Sequence, residues 1–482
     1  MSNKSEMRDI IVFLPGITGS VLQKDGKDLW AISGQAAWDF VTSMGNLIQN
    51  LKLEGDDHTI DDLGDGIKAT SLIQDTHFIP GLTKIDGYTV IAHRIQDEFD
   101  VTPGENYFEF PYDWRRDNRV AARQLEKFIN QRLPQWRDAS GAKNAKVILI
   151  AHSMGGLVSR YYLEVLGGWQ NCRALITFGT PYRGSINALN YLANGYKKLF
   201  LDLTDVMRSF TSVYQLLPIY EMLQVGDKYQ RVAETDNIPN LLRNKAEDAL
   251  KFHREIEATQ QINAQNEHYK NSFCIVPYVG TEQKTYQSAQ LLDEKLKICW
   301  EVPPRVGNEL DSGDGTVPRV SATPIEFDFD SNSKLRLYSR FIAEKHGSLQ
   351  NNGSILLDLL KNLQNLQLPE KEPVRGVLSQ TAISLELDDL YLKTELVTIK
   401  AEIKGRFPQI VKDNLALEAN IEPVSNRSNS GTKRRAEFQK IGNEWLISIN
   451  DLEPGLYRLE VKTVQSGGGF PNAVHDLFEI CQ

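Results

Sequence analysis

The chain runs to 482 residues, 41% of them hydrophobic and 24% charged, with a formal net charge of −9. That length exceeds what one compact core usually serves, so two domains, or one domain with large insertions, are expected. An acidic total argues against general nucleic-acid binding, which needs a basic face, and no stretch approaches the roughly 20 apolar residues that span a bilayer.

The opening segment MSNKSEMRDIIVFLPG holds one apolar run, Ile10–Leu14. It is too short for a signal-peptide core, and Pro15-Gly16 follows where a cleavage site would stand. Cys172, Cys274, Cys299 and Cys481 are scattered without CxxC spacing, a pattern of free thiols in a reducing compartment, so a cytoplasmic location is expected. Asp9–Pro15 reads as a buried strand. Trp30 to about Pro80 is irregular and acidic; Trp30 and Trp38 there are equally compatible with buried packing and with lipid contact. Asn106–Trp114 reads as another strand. Arg119–Leu133 reads as a helix, with Val120, Leu125, Phe128, Ile129 and Leu133 at helical spacing. Ala145–Ala151 is nearly continuous Val, Ile and Leu, as parallel sheets require.

At residues 152–156, HSMGG, the strand pattern ends and a helical pattern, GLVSRYYLEVL, begins at once. The segment departs from the G-x-S-x-G nucleophile elbow only in its first residue, His152, and lies between strand and helix as that motif requires. The turn forces Ser153 into a strained conformation and exposes its Oγ, while Gly155 and Gly156 let strand and helix pack closely. The amide of Met154 is placed to bind a developing oxyanion. A second oxyanion donor should come from the loop after the first core strand, FLPGITGS, where the Ile17 amide is the candidate. His152 is a poor base for Ser153, because successive strand residues face opposite ways.

Cys172–Pro181 and Ser272–Gly280 are further strands, and the alternation with helices implies an open, mostly parallel sheet covered on both faces. Between them, Ser185 to about Lys270 reads as a mostly helical cap. Leu199, Leu203, Val206, Phe210, Val213 and Leu217 fall on one side of a helix there, a face suited to covering an apolar groove, meeting a bilayer, or packing on the core. A serine nucleophile needs a histidine and a carboxylate, in the chain order Ser, Asp or Glu, His. Asp314 in DSGDGTVP and His346 in AEKHGSL fit that order, with Asp311 as the competing carboxylate. No Asp/His cluster has metal-ligand spacing and no glycine-rich dinucleotide fingerprint appears, so neither metal nor organic cofactor is expected.

Two prolines in Asn365–Gly376 mark a linker. Beyond it, AISLELDDL, LVTIKAEIKG, LALEANIEP, EWLISIND and LYRLEVKTV alternate with period two and predict an antiparallel β-sandwich. Asn426–Arg435 reads as a polar loop. The predicted organisation is an α/β-hydrolase domain over 1–366, with insertions at about 30–80 and 185–270, a linker at 367–376, and an accessory sandwich over 377–482.

The set LPGITGS, PYDWRR, AHSMGG, ITFGTPYRGS, SGDGTVP and EKHGSL, in this order, resembles the lecithin:cholesterol acyltransferase family of α/β-hydrolases, over roughly Asp9 to Leu360. The resemblance implies Ser153, Asp314 and His346 as a triad, with the Ile17 and Met154 amides as oxyanion hole. It also implies a structural PYDWR segment with Asp113 and Arg115 paired near the site, and a cap ending at SVYQLLP. Gly179-Thr180-Pro181 is part of this pattern and not a nucleotide site. The chain lacks the disulfide-closed loop of the secreted members, since residues 30–80 hold no cysteine. The implied function is a lipase or phospholipase, or an acyltransferase, acting through an acyl-enzyme. The partners to expect are a lipid or acyl-ester substrate, a membrane surface met through the cap, and a protein met through the sandwich. A soluble carboxylesterase or thioesterase, and a non-catalytic scaffold, are the competing readings.

Overall fold

The computed structural model describes residues 4–30, 49–74, 77–79, 83–198, 201–307, 310–326, 339–368, 381–405, 415–424, 433–465 and 471–481. Trp38, Leu199, linker residues 369–376 and most of the 426–435 loop lie outside them.

Six strands form the central sheet: β1 (Ile10–Leu14), β2 (Tyr107–Glu109), β3 (Val147–His152), β4 (Cys172–Phe178), β5 (Cys274–Thr281) and β6 (Arg340–Ala343). Their order across the sheet is β6-β5-β4-β3-β1-β2, and every pair is parallel. Period two along the strands splits the apolar residues between two cores. Ile10, Val12, Leu14, Leu149 and Ala151 pack on one face with α2 (Asn118–Ser140), α3 (Gly155–Glu164) and α5 (Arg243–Asn263). Ile11, Phe13, Ile148, Ile150 and Ile176 pack on the other with α1 (Thr89–Glu98) and α6 (Gly353–Leu366). Burial on both faces is why all six residues of β3 are buried and the strand lacks polar alternation. This is the α/β-hydrolase arrangement predicted from the strand and helix pattern.

Several elements differ from the sequence reading. The Asn106–Trp114 strand shortens to Tyr107–Glu109, because beyond it Tyr112 and Trp114 turn to bond Pro15 and Ser20 of the segment after β1. The insertion at about 30–80 is not wholly irregular: Ile67–Leu72 pairs antiparallel with Ser20–Lys24. The cap region contains α4 (Ile186–Asn194) and α5, but also an antiparallel hairpin of Leu223–Val225 with Lys228–Gln230. Its amphipathic face forms two short helices, Thr204–Ser209 and Thr211–Gln215. Leu203, Val206, Phe210, Val213 and Leu217 are buried in the hydrolase core. The segment before Asp314 forms a separate sheet, in which Lys295–Cys299 pairs with Ser288–Leu292. Strand β6, four residues flanked by polar ones, escapes sequence analysis.

Each of the five period-two runs beyond residue 376 contains a strand. With four further strands they form a four-stranded and a five-stranded sheet around Ile383, Ile399, Trp445, Leu459 and Phe478. The second sheet includes Val474–Cys481, which the sequence reading passed over. This sandwich is anchored to the hydrolase domain by buried polar contacts. Gln283 donates to the Ile383 carbonyl and accepts from the Leu385 amide. Glu344, fully buried, accepts from the His475 amide at 2.9 Å and meets His475 Nδ1 at 2.8 Å.

Two outcomes follow from this packing. Ile150→Ala removes a fully buried side chain and is expected to cost about 2–5 kcal/mol in urea unfolding, whereas exposed Ile441→Ala should stay within about 0.5 kcal/mol. Burial alone lowers the His475 pKa, but the Glu344 and Glu460 carboxylates outweigh it and raise it to about 10. A raised folded-state value means that the stabilisation is complete below the unfolded value near 6.5 and is lost as pH climbs to about 10. The melting-temperature gap between the wild type and His475→Gln should therefore be widest below pH ~6.5 and close towards pH ~10.

Candidate active site

Ser153 sits at the end of β3 with φ 51°, a left-handed conformation that costs on the order of 1–3 kcal/mol in a non-glycine residue. Three hydrogen bonds hold it there. Its amide donates to the Phe178 carbonyl at 2.8 Å, and its own carbonyl accepts from Thr180 Oγ1 at 2.9 Å and from the Gly156 amide at 3.0 Å. The turn also requires close approach. A Cβ at Gly155 would lie 2.5 Å from the Pro15 carbonyl oxygen, and one at Gly156 only 2.1 Å from Thr180 Oγ1. Helix α3 therefore starts directly beneath the β1 loop.

His346 follows β6 and Asp314 lies in the loop bridged to Gln283, just past β5. His346 Nε2 is 2.9 Å from Ser153 Oγ, and His346 Nδ1 is 2.7 Å from Asp314 Oδ2. Asp314 is buried, and its other oxygen accepts from the amides of Thr316 at 2.9 Å and Val317 at 2.7 Å. Those bonds fix the carboxylate's orientation, so the imidazole donates Nδ1–H to Asp314 and leaves Nε2 to accept from the serine. Gly179, at φ 57°, makes room for the pair: a Cβ there would lie 2.8 Å from both Asp314 Oδ2 and His346 Nδ1. Asp311, the competing carboxylate, instead accepts from the Ser312 amide.

The Met154 amide stands at the N-terminus of α3, and the Ile17 residue lines the same cavity as Ser153. Neither amide has a hydrogen-bond partner among the described residues, so both N–H groups remain available for an oxyanion. Asp113 and Arg115 pair at 2.6 Å, with the guanidinium also reaching Asp65 at 3.1 Å and the Leu51 carbonyl at 3.3 Å. The pair fastens the insertion to the domain and does not line the cavity. Trp30 is buried against Trp114, its indole N–H donating to the Thr18 carbonyl.

His152 has a role that sequence reading missed. Burial first, and the neighbouring His346 second, lower its pKa to about 3, so it is neutral. Its Nε2–H donates to the His346 carbonyl at 3.1 Å, since a carbonyl can only accept. Nδ1 then accepts from Tyr88 Oη at 3.1 Å, and that hydroxyl accepts from the Gly16 amide at 3.1 Å. A chain of neutral hydrogen bonds thus ties the loop carrying Ile17 to the loop carrying His346. Sequence separations of 64 and 194 residues hide it from local patterns.

The cavity above Ser153 has a volume of about 430 Å³, within the range of small-molecule sites. Ala188, Tyr191, Met207, Val213 and Leu216 supply an apolar wall from the cap.

The parallel sheet, the strand–turn–helix at Ser153 and the helices on both faces are those of the α/β-hydrolase fold. Residues 78–307 match the sequence model of the family described as lecithin:cholesterol acyltransferase, so the resemblance read from the motifs is borne out. That match contains Ser153 and stops before Asp314 and His346. The chain is similar to the human lysosomal phospholipase A and acyltransferase, 30% identical over 128 residues covering 24% of this chain and 29% of that protein. It is similar to the Rattus norvegicus counterpart at 29% over 142 residues, covering 27% and 32% respectively. The alignment thus spans about a third of the length of these curated relatives. Among solved structures it is similar to the Tle4-Tli4 complex, at 15% identity and TM-score 0.48, covering 76% of this chain and 100% of that one. It is also similar to the mature Bacillus licheniformis lipase BlEst2, at 13% identity and TM-score 0.31, covering 76% and 95%.

Tyr88→Phe leaves Gly16 N–H and His152 Nδ1 without a partner while keeping the ring. It should lower kcat towards an ester substrate by about 10- to 100-fold with little change in KM, measured by steady-state kinetics.

Proposed function

We propose that this protein is a serine hydrolase of lipid acyl esters, of lipase or phospholipase A type, with water or a second alcohol accepting the acyl group. The observation that carries this reading is the 2.9 Å contact of His346 Nε2 with Ser153 Oγ, backed by the 2.7 Å contact of Nδ1 with Asp314, on the floor of an apolar-walled cavity.

The reaction follows from that geometry. Ser153 Oγ attacks the ester carbonyl carbon as its proton passes to His346 Nε2. Asp314 holds the ring and stabilises the imidazolium that forms. Negative charge develops on the carbonyl oxygen beside the amides of Ile17 and Met154. His346 returns the proton to the leaving alcohol, giving an acyl-Ser153. Water or another hydroxyl, deprotonated by His346, then attacks the acyl carbon and restores the serine. The chemistry draws only on the chain's own side chains and amides.

The match to the acyltransferase family and the apolar cap wall support a long acyl chain over a small soluble ester. Burial raises the thiol pKa of Cys172 and Cys481 to about 12, which fits unreactive thiols in the cytoplasmic setting expected from their spacing.

An ester series of rising chain length tests the substrate class: kcat/KM should rise with chain length and with aggregation of the substrate. A fluorophosphonate probe should label the wild type and not Ser153→Ala, which should retain less than about one part in 10,000 of the activity. Preference for short soluble esters would point instead to a carboxylesterase, and an unlabelled Ser153 would sink the hydrolase reading.

A further inference from the structure

In the loop after β1, every carbonyl from Pro15 to Ser20 is engaged. Pro15 accepts from Tyr112 Oη at 2.9 Å, Gly16 from the Gly19 amide at 3.1 Å, and Ile17 from Thr18 Oγ1 at 2.6 Å. Thr18 accepts from the Trp30 indole N–H at 3.0 Å, Gly19 from the Ile73 amide at 2.9 Å, and Ser20 from the Trp114 indole N–H at 3.0 Å. Residues 16–19 make a tight turn closed by the Gly16–Gly19 bond, and Thr18, third in the turn, stands at φ 63°. A type II turn needs a positive φ at that position and normally places glycine or asparagine there. A β-branched residue in this region is an outlier, so the conformation is costly and persists only where its surroundings impose it. Trp30 is in place to impose it. Its ring is 2% exposed and sits edge-on to Trp114 with centroids 5.2 Å apart, so packing aims its N–H at the Thr18 carbonyl.

The direction of the Ile17 amide follows from that turn. In a trans peptide the Gly16 C=O and the Ile17 N–H point opposite ways. With the carbonyl turned inward to Gly19, the N–H is sent outward, on a residue that lines the cavity. Gly16 itself rests on the nucleophile: a Cβ there would lie 2.9 Å from Ser153 Cβ. If the turn relaxed and this peptide rotated, the Gly16 carbonyl would take the place of the N–H and repel a developing oxyanion. Resting on the hydrolase reading above, we propose that Trp30 is a positioning residue for the oxyanion hole: by holding the Thr18 carbonyl, its indole N–H keeps Thr18 at positive φ and the Ile17 N–H facing the reacting oxygen. Tyr88, bonded to the Gly16 amide, fixes where the loop sits; Trp30 fixes which way its peptide faces. A role in packing alone would need the rings of Trp30 and not its N–H.

The test uses the full chain, a long-chain ester, and an alkyl trifluoromethyl ketone, whose carbonyl carbon takes up the serine oxygen and leaves a negative oxygen in the oxyanion hole. Rates are taken per site titrated to completion by a fluorophosphonate, so unfolded molecules do not count. Trp30→Phe keeps a ring against Trp114 and removes the donor. Benzothienylalanine at position 30 keeps both rings and puts sulfur in place of the N–H, so it gives the same readout should the smaller ring fail to fold. Either change should lower kcat by about 10- to 100-fold, leave KM within about twofold, and weaken the ketone by the same factor as kcat/KM. Thr18→Gly takes a positive φ without steric cost, so added to either change it should return kcat to within about threefold of the wild type. Wild-type kcat with benzothienylalanine, a loss that spares the ketone, or a loss that Thr18→Gly does not relieve overturns the proposal and leaves the hydrolase reading standing. A wild type that neither takes the label nor cleaves the ester overturns both.

Discussion

The backbone of Ser153 is the constraint around which the catalytic end of the sheet is arranged. At φ 51° the residue leaves the strand and lifts its hydroxyl above the sheet, at a cost that surrounding contacts must offset. The offset comes from hydrogen bonds to Phe178, Thr180 and Gly156 and from the absence of side chains at Gly155 and Gly156. Neither helix α3 nor the β1 loop can shift without disturbing the serine. The same closeness places the start of α3, with the Met154 amide, against the Pro15 carbonyl of the loop that carries Ile17. The strain is thus tied to the arrangement of the proposed oxyanion donors, the Met154 and Ile17 amides.

Histidine at the first elbow position extends this arrangement. A glycine at residue 152 would allow the turn but leave Tyr88 and the His346 carbonyl unjoined. With His152, the nucleophile's own strand also supports the two loops that flank it. The ring does this because it is neutral: a protonated imidazole would have a second N–H where Tyr88 must donate. Burial therefore decides the function of this histidine, keeping it out of proton transfer and fixing its tautomer.

How much of this was legible in the sequence depends on how local the signal was. Strand, elbow and helix around Ser153 could be read because the apolar run, the small residues and the helical periodicity lie within a few residues of one another. Asp314 and His346 were readable as types in an order, but not through their strands. Asp314 returns to the end of β5 only after an excursion that folds as its own small sheet, and β6 is too short to show a pattern. The amphipathic stripe of the cap was visible, yet periodicity could not tell a lid face from a core face; the burial of Phe210 and Val213 does. Contacts between distant segments, such as Tyr88 with His152 or Lys84 with Asp476, left no sequence trace at all.

The sandwich shows why an apparently separate module matters to the site. Its strands need only period two to fold, and their apolar residues are satisfied within its own core. The polar residues at one end are therefore available to face the hydrolase domain. His475 is held by Glu344, two residues before His346, and the next residue, Asp476, is held by Lys84. Contacts at successive positions of one strand thus reach both the base-carrying loop and the cavity wall.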